Sequence, residues 1–336
     1  MTRRIGLAAL LTVCAGAVAS MQAPGLPLWA YGYITPHATQ TDYTTKCTGT
    51  NIKDCDRGTL PQDPTNTPRS LAGSDRKFTL GEINARYAPA DWFPGDHPAM
   101  PDIVAHGKEA IGLRACSMCH FPNGKGLMQN APVAGLPVDY FVQQLKDFQS
   151  GKRRSGDTNK ANGYEMQAIA RNLTDAEMKA AAEYFGAIKF TPWVRVVESE
   201  TVPKFTTSIN GLFLKAEGTA TEPIGKRLVE MPESTDLTNI YRSPRSGFVV
   251  YAPPGSLKKG EMLAATCKAC HGPDLKGVGN MPPIAGRQAS YLARQIWDFN
   301  LGARDGQMAA LMKPAVANLS EDDLIAVVAY ISSQQP

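Results

Sequence analysis

The sequence predicts a mainly α protein: two similar helical domains, a small strand-containing connector between them, and a largely irregular N-terminal extension. Three observations lead there. The chain of 336 residues is long enough for two domains or more. It contains an internal repeat. Each copy carries the same succession of helical apolar stripes and stop signals, and the same cysteine–histidine motif.

The repeat is read by adding 151 to a position in the first copy. Cys116 then matches Cys267, His120 matches His271, Pro132 matches Pro283, and Gly135 matches Gly286. Tyr140, Gln144, Phe148, Gly151 and Arg153 match Tyr291, Gln295, Phe299, Gly302 and Arg304. Five extra residues in the first copy lower the offset to 146, and Met166, Leu173 and Tyr184 match Met312, Leu319 and Tyr330.

Each copy reads as three main helices. One runs into the motif, from about Pro101 in the first copy and from about Leu257 in the second. The next carries Tyr140, Phe141, Leu145 and Phe148, repeated as Tyr291, Leu292, Ile296 and Phe299. These are helical apolar stripes, stopped by Gly151 and Gly302. The last opens with a capping-box pattern, Thr174 to Glu177 and Ser320 to Asp323. Ala181, Tyr184, Phe185 and Ile188 form its buried face in one copy, and Leu324, Val327, Val328 and Ile331 in the other.

The expected division is a signal peptide over 1–23, an irregular extension over 24–100, a first domain over 101–188, a connector over 189–255 and a second domain over 256–336. The leader has Arg3 and Arg4, an apolar run from Ile5 to Val13, and small residues at the cleavage sites Ala17-Val18-Ala19 or Met21-Gln22-Ala23. It is short for a membrane span, and Cys14 lacks the small preceding residue of a lipoprotein site. An exported, periplasmic protein follows. Residues 24–100 are rich in Pro, Thr, Gly and Asp, with one short helix at Thr79-Leu80-Gly81-Glu82. The connector has β-branched and aromatic runs at 193–197, 211–215 and 247–251, separated by Pro and Gly. Net charge is +4, or +2 once Arg3 and Arg4 leave, which supports no nucleic-acid partner.

Seven cysteines divide cleanly. Cys14 leaves with the leader. Cys47 and Cys55, in a polar loop, suit a disulfide in an oxidising compartment, against free thiols or ligands. The other four form Cys116-Ser117-Met118-Cys119-His120 and Cys267-Lys268-Ala269-Cys270-His271. Two thiols three positions apart lie on one side of a helical turn and can bond the two vinyl groups of one porphyrin, while the adjoining His reaches its iron. A redox dithiol or half a zinc site explains the cysteines but not a His directly behind them, twice. Two covalently bound haem c groups are therefore expected.

Each iron needs a trans ligand to be six-coordinate. Met166 lies 46 positions after His120 and Met312 lies 41 after His271. Both precede the last helix by the same interval. A thioether there raises the potential; the alternative for either Met is core filler, and Met308 and Lys313 stand near enough to compete with Met312. Pro132 and Pro283 are candidates to offer a carbonyl to the ligating imidazoles, against ordinary loop prolines. Arg153 and Arg304 could pair with propionates, against solvated arginines. Tyr140 and Tyr291 could hydrogen-bond propionates or belong to the core. Lys125 and Lys276 follow the two motifs and suit docking, against exposed loop lysines. His37, His97 and His106 read as solvated loop histidines, His97 lying in the aromatic and acidic run Asp91 to His97.

Tandem domains with Cys-x-x-Cys-His, Pro132-Val133-Ala134-Gly135 or Pro283-Ile284-Ala285-Gly286, and a late Met resemble class I-type cytochrome c domains. The pair is similar to the dihaem cytochromes c of the cytochrome c-four kind over roughly residues 101–188 and 256–334. The resemblance implies periplasmic electron transfer with His/Met irons, and a glycine-to-aromatic crossing of the first and last helices: Gly107 against Tyr184 or Phe185, and Gly260 against Tyr330. The long connector and N-terminal extension depart from that family.

Two saturated irons cannot bind substrate, so the chain is read as an electron carrier rather than an enzyme. Its expected partners are redox proteins: a dehydrogenase or quinol-oxidising complex as donor, a terminal oxidase or another cytochrome as acceptor. Any membrane association is peripheral, through them. The second reading is a dihaem redox enzyme, thiosulfate dehydrogenase- or peroxidase-like, which needs one reactive distal position. A third is a dedicated cytochrome subunit of a dehydrogenase complex.

Overall fold

The computed structural model describes residues 25–34, 65–208 and 211–336. The expected leader, Cys14, His37 and the Cys47–Cys55 pair lie outside the described residues. Among those described, no helix is long and apolar enough to cross a membrane.

In chain order the helices are α1 (Leu80–Ile83), α2 (Asp102–Ala105), α3 (Cys116–His120), α4 (Val138–Gln149), α5 (Ala161–Arg171), α6 (Asp175–Gly186), α7 (Thr235–Asn239), α8 (Ser256–His271), α9 (Ala289–Asn300), α10 (Ala309–Val316) and α11 (Glu321–Ser333). The first domain is α2–α6 and the second α8–α11. The stripes predicted for α4 and α9 face the core through Phe141, Leu145, Leu292, Ile296 and Phe299. Gly151 and Gly302 end them at φ 74° and 68°, where any side chain is strained. Both capping boxes form: Thr174 and Glu177 open α6, Ser320 and Asp323 open α11. Thr79 and Glu82 do the same for α1.

One expected element breaks. The second copy has a continuous helix α8 into its motif, but the first has α2, a 3-10 turn at Glu109–Ile111, and then the separate turn α3. Gly107 is the cause. It sits at φ 70°, and a Cβ on it would stand 2.3 Å from the Leu113 carbonyl oxygen, because the chain doubles back through a Lys108–Leu113 bridge. Gly107 is therefore a turn residue and not the first half of a crossing against Tyr184 or Phe185. The crossing exists in the second copy: a Cβ on Gly260 would meet the Ala326 carbonyl at 2.1 Å and the Tyr330 Cβ at 2.6 Å.

The connector is strand-rich as predicted. Strands β1 (Val194–Glu198), β2 (Val229–Pro232) and β3 (Phe248–Ala252) form a sheet in the order β1-β3-β2, with β1 parallel and β2 antiparallel to β3. Two ribbons, Thr201–Pro203 with Thr221–Pro223 and Phe205–Thr207 with Phe213–Lys215, complete it. Its Trp193, Phe213, Phe248 and Val250 share one hydrophobic core with both helical domains, so the connector is packed structure and not a tether.

The described part of the extension has a small core of its own, Leu71, Ile83, Trp92 and Phe93, with Phe78 and Tyr241 against it. It wraps the first domain. The Ala88 amide donates to the Ala105 carbonyl, and the Ala115 amide to the Arg86 carbonyl. Trp92 Nε1 donates to the Tyr241 carbonyl at 2.8 Å, and Arg245 pairs with Asp96, tying extension to connector.

Candidate haem centres

Two cavities each centre on one motif and extend to the boundary between the domains. The first is lined by Cys119, His120 and Met166, the second by Cys267, Cys270, His271 and Met312. Helix geometry explains the motif ends: α3 and the last turn of α8 carry the cysteines on one face, and Cys116 and Cys267 pack against the core. The four cysteines are unbridged. Burial pushes the Cys116 thiol up to about 12, the opposite of a reactive redox thiolate. Among the described residues no cluster of His, Cys, Asp and Glu could hold a zinc ion.

The two histidines are set identically. His120 Nδ1 donates to the Ala131 carbonyl at 2.8 Å, and His271 Nδ1 to the Pro282 carbonyl at 2.8 Å. Burial holds both imidazoles below their ordinary range, so each is neutral. A carbonyl on Nδ1 selects the tautomer whose Nε2 lone pair is free for a metal. The carbonyl comes from the residue before each expected proline. The Pro132 carbonyl is occupied by Arg287 Nη1, at 3.2 Å. Pro132 and Pro283 border the second cavity.

Met166 stands on α5 and lines the first cavity with Ile169. Met312 stands on α10 and lines the second, with Met308 also on its wall. Lys313 is drawn away by an ion pair with Asp305 at 2.6 Å.

Between the cavities lies a two-fold-like network. Arg153 and Arg304 pair their backbones as an isolated antiparallel bridge. Arg153 donates to Gln144 at 3.0 Å, to Gln295 at 2.8 Å and to the Tyr291 hydroxyl at 3.3 Å. Arg304 donates to Gln295 at 3.1 Å, to Gln144 at 2.6 Å and to the Tyr140 hydroxyl at 3.3 Å. Both guanidinium groups are buried, and their side-chain acceptors here are neutral. Burial would raise the Tyr291 phenol, but Arg153 and Arg304 outweigh it and hold it below its ordinary value. Buried cations whose hydrogen-bond acceptors are neutral are costly; Asp298 offsets part of that cost for Arg304, and the pair suits a further anionic group. Arg287 Nε and Ser155 Oγ, buried on the cavity walls, also lack partners among the described residues. The donor set is of a kind that would fit the propionates of two haem groups.

The structure revises two loop expectations. Lys125 is buried, with its ammonium 4.7 Å from the centre of the Trp193 ring, and burial pushes its pKa down to about 8. It is no docking lysine; Lys276 is exposed. The His97 side chain is nearly buried, 3.2 Å from Asp91 and packed edge-on to Tyr184, whereas His106 is exposed beside Asp102. Sequence reasoning gave Gln144 and Gln295 no role although both fall in the repeat. Arg242, which donates to the Met118 carbonyl and lies over the Phe121 ring, left no signal in the repeat at all.

Comparison with known proteins finds the same family in both copies. The family model described as cytochrome c matches twice, over residues 104–188 and 257–335. The chain is 28% identical over 241 residues to a "Thiosulfate dehydrogenase electron acceptor" of Stutzerimonas stutzeri (strain A1501), covering 71% of this chain and 82% of that protein. It is 27% identical over 243 residues to "Cytochrome c4" of Azotobacter vinelandii, covering 70% and 90%. "Cytochrome c-554(548)" of Halomonas halodenitrificans is 40% identical over 82 residues, 24% of this chain and 99% of its own length.

Proposed function

The chain belongs to the cytochrome c family as a dihaem, cytochrome c4-like electron carrier with two covalently bound haem c groups, and from that premise we propose that it passes single electrons in the periplasm from a dehydrogenase or quinol-oxidising complex to a terminal oxidase or another cytochrome. A bound haem c supplies one reversible electron at its iron.

The residues divide that task. Cys116 and Cys119, with Cys267 and Cys270, would hold the two groups as thioethers. His120 and His271 would give Nε2 to the irons, oriented by the Ala131 and Pro282 carbonyls. Met166 and Met312 would supply the second ligand of each iron and leave no position for a substrate. Arg153 and Arg304 would neutralise propionates, with Tyr140 and Tyr291 completing the polar boundary.

The observation that carries the reading is that each cavity holds a neutral His, motif cysteine and a helix-borne Met. An enzyme of the thiosulfate dehydrogenase or peroxidase kind needs a reactive or vacant distal position where one of those Met residues stands. A relative named as an electron acceptor of thiosulfate dehydrogenase supports a dehydrogenase as donor. The proposed domain bounds remain 101–188 and 256–336, with a cleaved signal over 1–23.

Carbon monoxide titration of the reduced, haem-loaded protein tests this. Neither iron should bind it. Ready binding at one iron would replace the carrier by the enzyme.

A further inference from the structure

The two copies treat one loop in opposite ways. Leu127, 3% exposed, and Val278, 60% exposed, are repeat partners on the loop that follows each motif. All nine residues from 121 to 129 are buried, whereas Pro273, Asp274, Lys276, Val278, Gly279 and Asn280 are exposed. Each loop begins directly after the proximal His and ends at the carbonyl that holds its imidazole. Since the motif cysteines would bond the porphyrin, this loop would border the edge of the group that is joined to the chain.

The first loop is sealed from two sides. The connector contributes Trp193 under Lys125, Arg242 over Phe121, and the Pro244 carbonyl accepting from Asn123 Nδ2 at 2.9 Å. The second domain contributes Gln288 Nε2 to the Lys125 carbonyl and Arg294 to the Met128 carbonyl, both at 2.9 Å. The repeat partners of Gln288 and Arg294 are Pro137 and Gln143. Proline has no side-chain donor, and Gln143 bonds within its own helix to Asp147. The first domain thus offers no reciprocal grip on the second loop.

We propose that partner proteins exchange electrons with this chain at the second domain, docking on the open loop 272–281 and the adjoining Leu311, while the equivalent face of the first domain is closed to them. This rests on the carrier reading above. Leu311, 62% exposed, lines the second cavity, as do Asn280 and Met281 from the loop. Val278 on the loop and Leu311 on α10 are both exposed apolar side chains. Lys268 in the motif and Lys276 on the loop, bonded to the Tyr330 hydroxyl and the Pro336 carbonyl rather than to carboxylates, outnumber Asp274, the one acidic residue between 267 and 281. The acidic start of α11 lies at the other end of α8, where Asp323 pairs with Lys259. The partner that fits is a redox protein with an apolar contact patch rimmed by carboxylates, since opposite charge steers encounter and an apolar centre tolerates brief contact. The first haem would then be an internal electron store, reached through the second.

The test uses the full haem-loaded chain with plastocyanin, a small copper protein of acidic docking face, as the probe. Val278→Asp and Leu311→Asp should keep both haems, and redox titration of each variant corrects its rate for any change in driving force. Each should lower the second-order rate of electron transfer at least tenfold, with Leu237→Asp on the connector within twofold of the parent. Hydrogen exchange of the complex should show protection over 272–281 and 309–313 and no change over 121–130. Unchanged rates in both variants, protection on 121–130, or no transfer to plastocyanin overturns the proposal. Reversible reduction of two haems in the same samples separates these failures from failure of the carrier reading, which would appear as loss of that reversibility in the parent itself.

Discussion

Arg153 and Arg304 face each other across the domain boundary, backbone bridged to backbone, each reaching a glutamine from both domains. This places two buried positive charges between the cavities. A cation near an iron favours its reduced form, because oxidation adds a charge of the same sign. A unit charge across such a boundary contributes on the order of 1–2 kcal/mol at an effective dielectric constant of about 20. Arg304→Gln should therefore lower at least one reduction potential by roughly tens of millivolts, read by redox titration of the loaded protein. Unchanged potentials would mean that the guanidinium charge is neutralised elsewhere.

The second iron has two methionines within one helical turn, and they are separable. Met308 precedes α10 and Met312 lies within it, and both line the cavity. Met312→Ala should open the iron to carbon monoxide and lower its potential, whereas Met308→Ala should leave the spectrum intact. The reverse pattern would move the ligand to Met308. Met166→Ala should act on the first haem alone, detectable because the other haem keeps its spectrum.

Gly260 tests the helix crossing. An added methyl would stand 2.1 Å from the Ala326 carbonyl and 2.6 Å from the Tyr330 Cβ, so α8 and α11 would have to separate. Overpacking of this kind costs about 1–3 kcal/mol. Gly260→Ala should lower the thermal midpoint of the second domain and loosen its haem, measured by the Soret band on heating. An unaltered midpoint would show that the crossing yields without cost.

The helical stripes, caps and motifs were legible because each is local. Gly151 and Gly302 mark their helix ends by conformation, and Thr174 and Ser320 mark starts by side-chain chemistry. The connector runs also read correctly as strands. What escaped was whatever depends on a partner far along the chain. Nothing near Lys125 in sequence announces the Trp193 ring that covers it, and nothing near His97 announces Tyr184. Gly107 was misassigned because a glycine can serve a close helix crossing or a left-handed turn, and only the returning chain at Leu113 decides between them. The asymmetry of the two loops was written in the repeat, where Gln288 and Arg294 align with Pro137 and Gln143, but its meaning needed the packed boundary.

Asp298 links stability to pH. Its Oδ1 accepts from the Tyr31 hydroxyl at 2.8 Å and from the Gly156 amide at 2.7 Å. Burial nevertheless pushes its pKa from 3.8 up to about 6, the hydrogen bonds and Arg304 and Arg294 opposing that rise only in part. Between those two values the folded protein keeps a proton that the unfolded chain releases. Stability therefore falls as pH rises from about 4 to 6 and levels off above, by at most about 3 kcal/mol from this residue. Asp298→Asn keeps an Oδ1 acceptor for both donors and removes the titration. Guanidinium unfolding at pH 4 and pH 7 should show the variant losing less stability over that interval than the parent. Equal losses in the two proteins would place the protonation elsewhere.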